Sequence, residues 1–172
     1  ILFDFSSSPA GGGLRRLEAY AEYFSTSSLK THFFVHEEAK NKDVIQRLVP
    51  TSLVGKTAIS KITLNKKYLA PFRNRAKWFF SYGIPIKENF AEKNWLHISN
   101  ALPFAVFDVS LGTDLFLKMF TLRQQFKKYI YSIDIVSAES NFALKQYQAL
   151  TGIKVDYCLL RNGVDYSKKN LN

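Results

Sequence analysis

The chain has 172 residues, of which 47% are hydrophobic and 15% aromatic, so it can build the core of one domain and is not a disordered or low-complexity chain. Its single cysteine, Cys158, excludes a disulfide framework and a cysteine-based zinc site, and fits a reducing, cytosolic compartment. The formal charge of +10, from 24 Lys and Arg against 14 Asp and Glu, calls for an anionic partner: nucleic acid, an anionic membrane surface or a phosphorylated substrate.

Residues 1–5 read as a short buried strand, followed by Ser6-Ser7-Ser8-Pro9-Ala10 and the glycines Gly11, Gly12 and Gly13. Leu14, Leu17, Ala21 and Phe24 then recur at helical spacing, giving a strand, a glycine turn and a helix. Residues 30–36 (KTHFFVH) read as a second strand, and residues 41–48 as a short helix closed by Pro50. Residues 60–68 are expected to be helical, in a region carrying Lys56, Lys61, Lys66, Lys67, Arg73, Arg75 and Lys77. Strands are expected over 77–83, stopped by Gly83 and Pro85, and over 94–100, stopped by Pro103. A long helix follows over 114–131, with Leu115, Met119, Leu122, Phe126 and Ile130 as its core stripe. A strand at 133–137, a helix at 141–150 stopped by Gly152, and a strand at 155–160 complete the chain. Compact apolar strands alternating with helices predict an α/β domain: a Rossmann-like parallel sheet of six or seven strands with helices on both faces. No apolar run reaches the roughly 18 residues of a membrane span, and no signal peptide is seen.

A glycine turn between a strand and a helix lets backbone N–H groups approach a phosphate at the helix N-terminus. Arg15 and Arg16 stand just inside that helix, where cations oppose the dipole, and an anionic ligand gives them a reason. The alternative is a tight turn with two solvated arginines. The turn is a poor dinucleotide fingerprint, because G-x-G-x-x-G requires glycine where Arg16 stands, although Glu37 and Glu38 follow the second strand where a ribose ligand belongs. Gly55-Lys56-Thr57 has the end of a phosphate-binding loop but Pro50 in place of its first glycine, and is set aside. His97, Ser99 and Asn100 fall at the carboxyl end of a central strand, the edge at which open α/β sheets bind ligands. A core histidine is the competing reading of His97. His32 and His36 are read as structural. Phe116 and Phe120, with Arg123 and Lys127, make part of the long helix a candidate membrane or acceptor surface, against the alternative of a helix buried on two sides. No helix-turn-helix, zinc-finger, RNP-type or KH pattern is present, so no nucleic-acid partner is expected.

The segment SAESNFA at 137–143, followed by a helix and a strand running into RNGVD at 161–165, resembles the family 4 glycosyltransferases of GT-B fold. GGGLRRL at 11–17 is similar to that family's first loop, and FSYGIP at 80–85 and LHISNALPF at 96–104 to its central strands. Arg161 stands where the family commonly has proline. The resemblance implies that residues 1–165 are the N-terminal, acceptor-side domain, that residues 166–172 begin an interdomain linker, and that a donor-binding C-terminal domain lies elsewhere. It implies transfer of a hexose from a nucleotide-sugar, with retained configuration, to a glycan or lipid-linked acceptor in cell-envelope polysaccharide synthesis. The nucleotide-sugar is then a co-substrate, with no cofactor and no metal, and this domain alone is inactive. His97 and Asn100 become catalytic candidates. Gly11, Gly12, Gly13, Arg15, Ser99, Glu139, Ser140 and Asn162 become candidates for binding substrate or donor phosphate. The protein is expected to be cytoplasmic and peripheral on the inner membrane face. Two other readings stay open: a nucleotide-binding oxidoreductase domain, and a non-catalytic module that binds anionic surfaces.

Overall fold

A computed structural model of the protein describes residues 1–8, 11–36, 39 and 74–160. Six strands are found among them: β1 (Leu2–Phe5), β2 (His32–Val35), β3 (Ala76–Tyr82), β4 (Ala91–Ile98), β5 (Ile135–Ala138) and β6 (Asp156–Leu159). Three α-helices accompany them: α1 (Gly11–Ser25), α2 (Thr113–Lys128) and α3 (Asn141–Thr151). The strands form one all-parallel sheet in the order β2-β1-β3-β4-β5-β6. The expected Rossmann-like α/β fold is therefore present. The helices expected over 41–48 and 60–68, Glu37, Glu38, Gly55-Lys56-Thr57, Asn162 and the 165/166 domain boundary lie outside the described residues.

The chain leaves β1 toward β2 on one side, then crosses back to place β3 to β6 on the other. The switch point falls between β1 and β3. Right-handed crossovers running in opposite directions put α1 on one face of the sheet and α2 and α3 on the other. On the α1 face, Tyr20 packs its ring edge-on to Phe3 at 5.6 Å and Phe5 at 5.9 Å. On the opposite face Leu2, Phe34, Phe79, Leu96, Ile98, Val136 and Ala138 are buried. There Phe104, Phe126 and Tyr147 join α2 to α3 through ring contacts of 5.1 to 6.3 Å. The β3–β4 connection contains no helix. Its apolar residues Ile84, Ile86 and Phe90 are buried, and Phe90 packs on Phe79 at 5.0 Å.

Two expectations need correction. β4 begins at Ala91 rather than 94, because Glu92 and Lys93 face solvent and interrupt the apolar run. The core stripe of α2 is shorter than its periodicity suggests. Met119 and Phe126 are buried, but Leu115 is 43% exposed, because the first turn lies beyond the surface that the rest of the helix covers.

Candidate functional site

The carboxyl ends of β1, β3 and β4 are stitched together. Ser7 Oγ donates to the Tyr82 carbonyl at 3.1 Å, and Gly83 N donates to the His97 carbonyl at 2.8 Å. Gly83 has φ +73°, and a side chain there would meet Ser99 Oγ at 2.5 Å. Helix α1 opens beside this seam. Gly11 and Gly12 are exposed, but a Cβ on Gly13 would lie 2.5 Å from Ser8 Oγ and 2.9 Å from Tyr82 Cε1. Close packing alone therefore accounts for Gly13.

The period of the strands brings a polar row to the α1 face at this edge. Tyr82, His97, Ser137 and Cys158 are successive partners across β3 to β6. Glu139 follows β5 at the same edge. The hydrogen bonds run in one direction. Trp95 Nε1 is 2.7 Å from Ser137 Oγ and can only donate, so the serine accepts there. With the serine hydrogen assigned to the 2.9 Å bond to His97 Nδ1, the ring proton sits on Nε2. That Nε2 is buried, makes no hydrogen bond, and faces Glu139 Oε1 at 3.7 Å. Burial and the nearby Arg16 charge hold the His97 pKa down to about 3. His97 is thus a neutral donor at physiological pH, and its approach to Glu139 is not an ion pair.

Tyr82 lies between Phe5 and His97, stacked on each at 5.0 Å, and its hydroxyl donates to Glu139 Oε1 at 3.1 Å. Burial, with the adjacent Glu139 carboxylate, raises its pKa well above the usual phenol value, so it stays protonated. Arg16 is buried, lies 5.8 Å from the Tyr82 ring centroid, donates from Nη2 to the Leu160 carbonyl at 3.0 Å, and stands 3.7 Å from Glu139 Oε1. A guanidinium, a carboxylate, a phenol and a neutral imidazole N–H therefore meet at one sheet edge. That set can orient a hydroxyl or an anionic oxygen. Below it, on the other face, Asp4 is wholly buried. Its Oδ1 accepts from the Ser6 backbone at 2.9 Å and the Ser6 hydroxyl at 2.6 Å, while Oδ2 has no partner. Burial raises the Asp4 pKa to about 6 against those two hydrogen bonds.

Among the residues expected from sequence, the structure brings His97 and Glu139 together and places Gly11 and Gly12 at the same edge. It turns Arg16 inward and leaves Arg15 exposed. The side chain of Asn100 is exposed and its Oδ1 accepts from Leu102 N at 2.8 Å, closing a turn. Ser140 caps α3 by accepting from Ala143 N at 3.2 Å. Ser99 packs against Gly83. Phe116 and Phe120 stack at 6.0 Å and each meets Phe107, which is 64% exposed. Arg123 lies over Phe107 at 5.3 Å and donates to the Phe104 carbonyl, while Lys127 is exposed. Sequence reasoning missed Tyr82, Ser137, Trp95 and Asp4. The available signal for Tyr82 and Ser137 was strand period, which puts Tyr82 two residues after Phe80 and Ser137 two before Glu139.

Among the described residues no group of three or more His, Cys, Asp or Glu could hold a metal ion, and no helix is long and apolar enough to cross a membrane. Comparison with protein-family profiles, curated proteins and solved structures finds no match.

Proposed function

We propose that this domain binds the acceptor side of a retaining glycosyl transfer, as the N-terminal half of a GT-B enzyme of family 4 type. The observation that carries the reading is the His97–Glu139 pair at the carboxyl edge of a parallel sheet. A buried neutral N–H without a partner stands 3.7 Å from a carboxylate oxygen, an arrangement that offers a sugar hydroxyl one donor and one acceptor. Arg16 adds positive charge where a leaving diphosphate needs stabilisation. The exposed N–H end of α1 at Gly11 and Gly12 adds a second anion-favouring feature. The donor is a nucleotide-hexose and the acceptor a glycan or lipid-linked sugar of the cell envelope, with the protein in the cytoplasm at the inner membrane face. The exposed Phe107 beside Phe116, Phe120 and Arg123 fits such a surface. The oxidoreductase reading gains nothing, since Arg16 fills the place of the fingerprint's third glycine with a buried charged side chain.

The test is hexose transfer by the complete polypeptide that carries this domain, using UDP- and GDP-hexoses and a panel of glycan and lipid-linked acceptors. The expected result is transfer with retained configuration, reduced at least about a hundredfold (roughly 3 kcal/mol) by His97→Phe with donor hydrolysis preserved. Tight binding of NAD(H) by residues 1–172 with no sugar transfer overturns the reading.

A further inference from the structure

Three elements of the polar edge converge on a single atom, the Oε1 oxygen of Glu139. The Tyr82 hydroxyl of β3 donates to it at 3.1 Å, His97 Nε2 of β4 stands 3.7 Å away, and Arg16 Nη2 of α1 also stands 3.7 Å away. Of these three, only the tyrosine is within hydrogen-bond reach of that oxygen. The imidazole nitrogen is buried and makes no hydrogen bond, although it faces a carboxylate.

The poor fit has a cause in the chain. Glu139 is the single residue between the end of β5 and Ser140, the cap of α3. On one side the Ala138 carbonyl accepts from Leu160 N at 3.0 Å; on the other the Ser140 hydroxyl accepts from Ala143 N at 3.2 Å. Both neighbours of Glu139 are therefore pinned. Arg16 is in turn held by the Leu160 carbonyl at 3.0 Å. A side chain tethered in this way brings its oxygen within reach of one donor and not of the other two. A free anion has no tether, and its several oxygens can meet separate donors at about 2.7–2.9 Å each. Burial supplies the way in. Tyr82, His97 and Arg16 are buried, whereas the Glu139 side chain is 28% exposed. Glu139 is thus the member of the set that can turn outward into water and open the donors.

We propose that Tyr82, His97 and Arg16 form an oxyanion site that Glu139 fills as an internal stand-in, and that the phosphoryl group of a ligand displaces it. The chain's charge of +10 favours such a ligand. The proposal deepens the sugar-transfer reading and rests on it for the purpose of the site: a phosphoryl group that takes the donors leaves the Glu139 carboxylate to accept from a sugar hydroxyl.

The test needs no sugar donor. It can therefore fail while the complete polypeptide transfers hexose, and succeed where no transfer occurs. The probes are methyl phosphate and inorganic phosphate, titrated into residues 1–172 at constant pH and ionic strength, because screening changes with salt. The readout is the His97 Nε2–H signal in nitrogen NMR. The expected result is a saturable shift of that signal with both probes. Glu139→Gln removes the competing charge and raises the affinity at least about tenfold, the difference between a charged and a neutral acceptor on these donors. Glu139→Asp keeps the charge, draws it back by one methylene and gives a smaller gain; it carries the test if Glu139→Gln does not fold. Tyr82→Phe in the Glu139→Gln background takes back most of the gain. Glu92→Gln removes an equal charge from the exposed start of β4 and leaves the affinity unchanged. An equal gain from Glu92→Gln, no gain from either Glu139 variant, or no saturable shift overturns the oxyanion site. Binding of inorganic phosphate alone overturns its assignment to a ligand's phosphoryl group.

Discussion

Phe3, Phe80 and Trp95 stand one register row from Phe5, Tyr82 and His97 on the same face of the same sheet, beneath the same helix. The two rows are about 7 Å apart along the strands. The first is made of aromatic rings, of which only Trp95 has a polar atom, donated to Ser137. The second is a directed set of hydrogen bonds, in which Trp95 donates to Ser137, Ser137 to His97, and Tyr82 to Glu139. The face of a sheet is therefore not one environment. Apart from that bond, rings in the first row need only fill space. Groups in the second must each find a partner at a fixed distance, and one buried nitrogen, His97 Nε2, finds none among the described residues.

Emptying the first row has the largest expected effect. Phe3→Ala removes a ring that touches Tyr20, Phe24, Phe33 and Phe80. The expected cost is about 3–5 kcal/mol in denaturant unfolding. A loss below about 1 kcal/mol means that the row is not tightly packed.

Titration separates the two faces of the polar edge. His97 is held neutral, so between pH 3 and 6.5 the unfolded chain binds its proton and the folded chain does not. That term makes stability rise with pH and disappear as pH falls. Asp4 is the reverse. Its folded pKa of about 6 lies above the ordinary 3.8, so its contribution is present in acid and lost as pH rises through 6. Relative to wild type, Asp4→Asn is expected to gain up to about 3 kcal/mol of stability between pH 4 and 7. His97→Gln is expected to lose stability relative to wild type over the same interval. Difference profiles that are flat across this interval, by chemical unfolding at stepped pH, remove the burial argument for both groups.

A third variant tests the seam between α1 and β3. Gly13→Ala places a methyl within 2.7 Å of Ser8 Cβ and 2.9 Å of the Tyr82 ring, and the expected loss is about 1–3 kcal/mol in thermal or denaturant unfolding. A neutral result means that Ser8 and Tyr82 move freely and that packing does not explain this glycine. The smallest effect is expected from Tyr82→Phe. It keeps both ring stacks and removes only the hydrogen bond to the partly exposed Glu139, a loss of about 1 kcal/mol. Nitrogen NMR of His97 should still show the proton on Nε2, because Ser137 rather than Tyr82 sets the tautomer. A switch to Nδ1–H contradicts the direction assigned to the relay.

The alternation of the fold was legible because each strand is a short apolar run between turn residues, and each helix repeats its apolar positions at helical spacing. All six described strands fall where those runs stand, and the first helix buries Leu14, Leu17 and Ala21 as its spacing requires. The site was legible only in part. His97 could be singled out by its strand end, and Glu139 by its motif. Arg16 was visible only as a misfit to a nucleotide fingerprint. Asn100 and Ser140 have the right residue types at the right edge, yet their side chains close a turn and cap a helix. Sequence types cannot separate these uses, because an amide or hydroxyl serves a local backbone group as readily as a ligand.

Period and composition by themselves determined that this chain forms strands and helices in alternation and that its edge loops carry polar groups. Tertiary structure decided which polar groups meet. Tyr82, His97 and Ser137 come from three strands and are neighbours only through register. Arg16 joins them only because α1 packs on that face. Register and helix placement depend on contacts between residues distant in the chain, so no local pattern encodes them.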